Sequence, residues 1–390
     1  MNIITKLLKD EKVQWKTLGD VAEIGTGNSN RQDEDENGQY PFYVRSQNIL
    51  KSNHFQFNET AIIIPGEGGI GDIFHYVQGK YALHQRAYRI NIKNGILETK
   101  FLYYYMRNSF KSYIIAKSVG ATATSIRKPM LESFLIPIPP LHIQQEIVAI
   151  LDKFTELTAE LTAELTARKK QYDYYREQLL SVDDNGLMNG VKAEWKTLGE
   201  VANFTYGYAA KAQNTGSSRF IRISDINENG KLTATGAMYI DISKDNKKYL
   251  LKKNDILVAR TGATFGKTLI FEEDYSSIYA GFLIKIDLDR SIIIPKYYWH
   301  FAQSISYWYQ ANKLVSGGGQ PQFNANVLKD IKLQIPPLSE QERIVAILDK
   351  FDTLTTSISE GLPREIALRQ KQYEYYREQL LDFPKNNIES

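Results

Sequence analysis

Three stretches of this sequence occur twice, and what lies between them does not. Trp15-Lys16-Thr17-Leu18-Gly19-Asp20-Val21-Ala22 returns as Trp195-Lys196-Thr197-Leu198-Gly199-Glu200-Val201-Ala202. Pro139-Pro140-Leu141 with Ile147-Val148-Ala149-Ile150-Leu151-Asp152-Lys153-Phe154 returns as Pro336-Pro337-Leu338 with Ile344-Val345-Ala346-Ile347-Leu348-Asp349-Lys350-Phe351. Lys170-Gln171-Tyr172-Asp173-Tyr174-Tyr175-Arg176-Glu177-Gln178-Leu179-Leu180 returns as Lys371-Gln372-Tyr373-Glu374-Tyr375-Tyr376-Arg377-Glu378-Gln379-Leu380-Leu381. The order is the same in both halves, so a repeated frame holds two divergent inserts. Such a chain is built to present two different binding surfaces.

The 390 residues suffice for two or three domains with their own cores, and 43% hydrophobic content describes a folded protein. Without cysteine there is no disulfide or thiolate metal site, which favours a cytoplasmic protein. No apolar run reaches the length of a membrane span, so no membrane partner is expected. A net charge of +3 is low for a dedicated nucleic-acid binder, yet local clusters or a partner can supply the positive field.

The periodicity predicts a helix over 141–181 with no Gly or Pro through Leu180, and apolar steps of four and three through Ile143, Ile147, Ile150, Phe154, Leu157 and Leu161. This is a coiled-coil seam, roughly 60 Å long. The tandem Thr158-Ala159-Glu160-Leu161 and Thr162-Ala163-Glu164-Leu165 adds a stutter. A second helical segment over 339–381 repeats the seam and breaks at Gly361-Leu362-Pro363. The two helices are expected to lie antiparallel. The remaining boundaries are an N-terminal segment 1–12, a first head 13–140, a linker 182–192, a second head 193–338 and a tail 382–390. Both heads read as α/β: short strands at 40–44, 61–64 and 88–92 against 219–223, 255–259 and 280–286, then an aromatic helix at 100–114 or 296–309. A loop comes after each helix, at 118–124 or 316–322. The fold class is α/β, two heads on a pair of long antiparallel helices with a pseudo-two-fold internal repeat.

Several strings imitate catalytic motifs. Gly66-Glu67-Gly68-Gly69-Ile70-Gly71 matches a dinucleotide fingerprint, but no long helix comes after it to hold a pyrophosphate, and it reads as a turn between strands. Gly262 to Thr268 lacks the spacing of a P-loop. The five histidines have no metal-ligand spacing, and no nucleophile–base arrangement can be picked out. The chain is expected to catalyse nothing and to hold no metal. The candidates are for binding, being side chains able to read base edges or phosphates. In the first head they are Arg45, Gln47, Asn48, Arg86, Thr124, Arg127 and Lys128. In the second they are Arg222, Ser224, Asp225, Arg260, Thr261, Lys267, Gln320, Gln322 and Asn324. On the helices Ile147, Ile150, Phe154, Ile344, Ile347 and Phe351 are candidates for holding partner helices.

With all of these frame motifs present twice, the chain resembles the specificity subunit of type I restriction–modification enzymes. The Thr-Ala-Glu-Leu tandem and Gly361-Leu362-Pro363-Arg364-Glu365 look like its type IC branch. The resemblance covers the whole chain, specific in the frame and matching only in plan within the heads. It implies two target-recognition domains on an antiparallel coiled coil, each reading one half of a split site in double-stranded DNA. It further implies two methyltransferase subunits docked on the helices and restriction subunits held through them. S-adenosylmethionine, ATP and Mg would bind those partners, none this chain. Two recognition heads suit half-sites on one face of the duplex, about one turn or 34 Å apart. Two alternatives stay open at this point. One is a specificity subunit serving a methyltransferase without a restriction partner, and the other a coiled-coil adaptor with two protein-binding heads.

Overall fold

A computed structural model describes residues 3–9, 11–69, 71–117, 125–315 and 323–384. The chain forms two compact units, Met1–Glu160 with Ile366–Ser390, and Leu161–Glu365. Each unit therefore combines one head with a stretch of both long helical segments.

The first unit begins with α1 (Ile3–Leu8), β1 (Gln14–Thr17), α2 (Leu18–Val21) and β2 (Ala22–Thr26). Then come β3 (Tyr40–Tyr43), β4 (Leu50–Ser52), β5 (Phe57–Pro65), β6 (His75–Leu83) and β7 (Ala87–Ile92). Next are α3 (Thr99–Lys117), α4 (Lys128–Glu132), β8 (Leu135–Ile138) and α5 (Leu141–Leu179). Strands order as β2-β7-β5-β6-β3-β4, antiparallel except where β3 meets β6. Between β5 and β6, residues 66–69 and 71–74 form no helix, so the glycine fingerprint has no helix behind it. Ile62, Ile64 and Ile90 of the sheet pack on Phe101, Met106 and Phe110 of α3 in one apolar core.

The second unit has the same plan with one division. Its elements are β9 (Leu187–Met188), β10 (Val191–Lys192), β11 (Glu194–Thr197), α6 (Leu198–Val201), β12 (Ala202–Tyr206), β13 (Ser218–Ile221) and β14 (Tyr239–Ile240). They continue with β15 (Asp255–Ala259), β16 (Thr268–Phe271), β17 (Ser277–Tyr279), β18 (Leu283–Leu288), α7 (Pro295–Phe301) and α8 (Ile305–Val315). Last are α9 (Ala325–Lys329), β19 (Lys332–Ile335), α10 (Leu338–Thr356) and α11 (Leu362–Leu381), the last entering the first unit at Ile366. The sheet is two pieces, β12-β18-β15-β16 and β14-β13-β17. In the first head the long β6 pairs with both β5 and β3; here residues 272–276 divide that role between β16 and β17.

Two expectations need adjustment. The helix expected over 296–309 is two helices, because the buried Ser304 hydroxyl accepts from the Tyr307 N–H and starts α8 afresh. Within the expected linker 182–192, residues 187–192 form the β9–β10 hairpin. Asn189 (φ 49°) and Gly190 (φ 88°) make the left-handed pair that a two-residue hairpin turn needs, and Met188 is fully buried.

The repeated motifs are the joints between head and helix. Thr17 and Asp20 form a capping box at the start of α2, as Thr197 and Glu200 do at α6, with hydroxyl-to-carboxylate distances of 2.6 and 2.7 Å. Gly19 and Gly199 are glycines because a Cβ there would meet α4 or α9 closely, 3.1 Å from the Glu132 Cβ or 3.0 Å from the Lys329 Cβ. β1 pairs antiparallel with β8, and β11 with β19, so the two ends of each head are stitched together. The fully buried Gln144 accepts from the Glu98 N–H and donates to the carbonyls of Ile96 and Pro139. Gln341 makes the same three bonds to Ile294, Ile292 and Pro336. Asp152 holds Lys100 at 2.6 Å and the Tyr104 hydroxyl at 2.5 Å. Asp349 holds Lys296 at 2.7 Å and the His300 ring at 2.9 Å. Burial pushes His300 below its ordinary pKa while the Asp349 carboxylate works against it.

The helical segments pair through the same motifs. Phe154 stacks on Tyr376 with ring centroids 5.2 Å apart, and Phe351 stacks on Tyr175 at 5.4 Å. The break is at 357–361, where a Cβ on Gly361 would lie 2.3 Å from the Thr353 carbonyl oxygen.

Candidate nucleic-acid interface

The two heads share one backbone joint. In the first, the Gly66 N–H donates to Arg86 O (2.9 Å) and the Ile126 N–H to Gly66 O (2.9 Å). In the second, the Arg260 N–H donates to Phe282 O (3.1 Å) and the Phe323 N–H to Arg260 O (2.8 Å). Strand register agrees: Pro65 pairs with Ala87, and Ala259 with Leu283. In both heads, the chain from Ile126 or Phe323 onward is fastened to the end of the corresponding central strand. Gly66, Glu67 and Arg86 thus occupy the places of Arg260, Thr261 and Phe282.

The first head puts two candidates together here. Arg45, just beyond β3, and Arg86, between β6 and β7, both bind one oxygen of Glu67, at 3.0 and 3.2 Å. All three side chains are roughly half exposed. Glu67 was read only as part of the glycine string; its pairing with Arg45 spans 22 residues and leaves no local signal. His84 lies beside them, its Nδ1 accepting from the Arg86 N–H. Burial first, then the charges of Arg45 and Arg86, push its pKa down. Arg127 and Lys128 come directly after Ile126 and are exposed, with Lys128 3.5 Å from Glu132. Gln47 and Asn48 are exposed between β3 and β4. Thr124 lies outside the described residues.

In the second head, Arg260 and Thr261 sit just after β15, and half-buried Lys267 precedes β16. Three candidates are engaged within the head itself. Asp225 is 2% exposed and gives both oxygens to Arg222, so it presents no free edge to a base. Arg222 is correspondingly engaged, although Ser224 beside it is exposed. The Asn324 side-chain oxygen accepts from the N–H groups of Asn326 and Val327 as the cap of α9. Gln320 and Gln322 lie outside the described residues. On the helices, Ile147 and Ile344 are fully buried in the cores of their own heads, so neither offers a face to a partner. Ile150, Phe154, Ile347 and Phe351 are half-buried. A helix face that carries a head cannot also carry a partner.

The sequence profile of the type I restriction modification DNA specificity domain matches residues 10–168 and again 191–368. The chain belongs to this family. It is a type I DNA specificity subunit with two recognition domains. A Haemophilus influenzae relative assigned to the type I restriction enzyme specificity subunits is 37% identical, over 97% of this chain and 98% of its own. A type I restriction enzyme specificity subunit of Escherichia coli is 40% identical over 64% of this chain and 63% of its own. In fold, the chain is similar to the crystal structure of a type I restriction–modification S subunit from M. genitalium. That likeness has a TM-score of 0.62 at 17% identity, covering 99% of this chain and all of the other.

At the shared joint the backbone bonds agree while the side chains differ. Among the described residues no helix is long and apolar enough to cross a membrane, and no cluster of His, Asp or Glu could hold a metal.

Proposed function

We propose that this specificity subunit binds an asymmetric, bipartite DNA target, each head reading one half-site through the surface around its strand joint. The observation that carries the reading is the common joint with unlike side chains: Glu67 and Arg86 in one head, Thr261 and Phe282 in the other. One geometry with two chemistries is what two different half-sites require. In the first head the candidate contacts are Arg45, Gln47, Asn48, Arg86, Arg127, Lys128 and Thr124. In the second they are Arg260, Thr261, Lys267, Ser224, Gln320 and Gln322.

Two methyltransferase subunits dock on the helices, and restriction subunits join through them. S-adenosylmethionine, ATP and Mg belong to those partners, and the assembly works in the cytoplasm. Exposed aromatic and aliphatic side chains on the helices, Tyr174, Leu368 and Tyr375, and Ile358 in the break between α10 and α11, support a docking role. The modest net charge of +3 suits a subunit whose partners share the phosphate contacts. The test is methylation mapping in a host that carries the chain with its methyltransferase, against the same host with the chain deleted. The expected result is one two-part asymmetric motif, methylated only when the chain is present. Methylation that persists without the chain, or a single continuous motif, overturns the reading.

A further inference from the structure

One arginine at the shared joint is held in a way none of the other candidates is. The backbone of Arg260 is pinned on both sides, by Phe282 O and by the Phe323 N–H. Its guanidinium carbon lies 5.2 Å from the centre of the Tyr206 ring and 5.5 Å from that of Phe282. Tyr206 is itself fixed, its hydroxyl accepting from the Ala325 N–H at 3.2 Å. Both rings are exposed, 41% and 56%. The Arg260 Nε is buried and has no hydrogen-bond partner among the described residues. Among the described residues no carboxylate forms an ion pair with this side chain, whereas Arg45 and Arg86 share Glu67 and Arg222 has Asp225.

A buried, unpaired donor on a charged group is costly, and two aromatic rings compensate only in part. What the rings add is orientation. Arginine is a planar fork matched to a planar acceptor pair, and two neighbouring rings restrict how that fork can turn. In the major groove the base edge with two adjacent acceptors is guanine, through O6 and N7.

We propose that Arg260, clamped by Tyr206 and Phe282, reads a guanine in the half-site of the second head. The proposal rests on the DNA-reading function above and adds a base identity and a positioning role for two aromatic residues. The half-site read by the second head contains a G·C pair, and discrimination at that one position depends on the clamp.

The test uses the full chain with its methyltransferase on a library of duplexes randomised through both half-sites, with the methylated products sequenced. Arg260→Lys keeps the charge and loses the fork, so preference for guanine at one position should fall about tenfold to a hundredfold, the range of one bidentate contact. All other positions, including the whole first half-site, should be unchanged. Phe282→Ala, which frees the guanidinium without removing it, should relax the same position and no other. Thermal unfolding of each variant identifies any loss that comes from misfolding, and Phe282→Leu then replaces the affected variant. The proposal is overturned by a second half-site composed only of A·T pairs, or by an unchanged motif in Arg260→Lys. It is also overturned if methylation weakens uniformly without a change of preference, as for a phosphate contact. A wild-type complex with no two-part motif would instead overturn the functional reading itself.

Discussion

Gln144 and Gln341 show how one residue can decide whether a head is attached to its helix. Each is fully buried, and each satisfies one N–H and two carbonyls at the turn where the head's last strand enters the helix. A side-chain amide can do this because it carries a donor pair and an acceptor at one end. Replacing Gln341 with leucine would preserve most of the volume and strand the Ile294 N–H and the carbonyls of Ile292 and Pro336. The expected cost is about 2–4 kcal/mol, read as a lower midpoint in denaturant unfolding. A change within the range of ordinary surface substitutions would show that these bonds do not hold the joint. By contrast, Lys350 in the same repeated motif is exposed, and its substitution should be near neutral.

At the scale of elements, the two copies of each helical motif are partners of one another. Phe154 of the first Ile-Leu-Asp-Lys-Phe meets Tyr376 of the second Tyr-Tyr-Arg-Glu-Gln, and Phe351 meets Tyr175 the other way round. Between Phe154 and Tyr175 in α5 lies the Thr-Ala-Glu-Leu tandem, exposed on most of its positions. Adding one unit after Leu165 should lengthen α5 by about 6 Å and rotate its C-terminal portion by roughly 40°. With a base-pair rise of about 3.4 Å, the unread spacer should grow by about one or two base pairs. The half-sites should not change, because neither head is touched. Methylating duplexes of graded spacer length checks this, and an unchanged spacer, or altered half-site bases, would show that α5 does not set the distance.

For the whole molecule, the stitching of β1 to β8 and of β11 to β19 makes each head a closed insert on a constant frame. Exchanging residues 13–140 for the first head of another family member should therefore change one half of the target and leave the other intact. Sequencing the methylated sites of the chimera measures it; a change in both halves would mean the heads do not read independently. The division into Met1–Glu160 with Ile366–Ser390 and Leu161–Glu365 has the same origin, since each head's core extends into its helix stretches.

The repeated letters by themselves determined the duplication, the pairing of long helices with a break at Gly361-Leu362-Pro363, and the α/β plan of both heads. These are local or periodic properties: a capping box, a heptad seam and a Pro-Gly break are written in residues a few positions apart. Tertiary structure alone decided which side chains converge. Glu67 meets Arg45 and Arg86 from three separate loops, and Asp225, chosen for its chemistry, is buried against Arg222. Ile147 and Ile344 fit a seam by spacing, yet the heads cover them, because periodicity marks an apolar face without saying what packs on it. Nothing near Arg260 in sequence announces its two rings: Tyr206 reaches it from β12 and Phe282 from the turn before β18, through pairings that only the folded sheet makes.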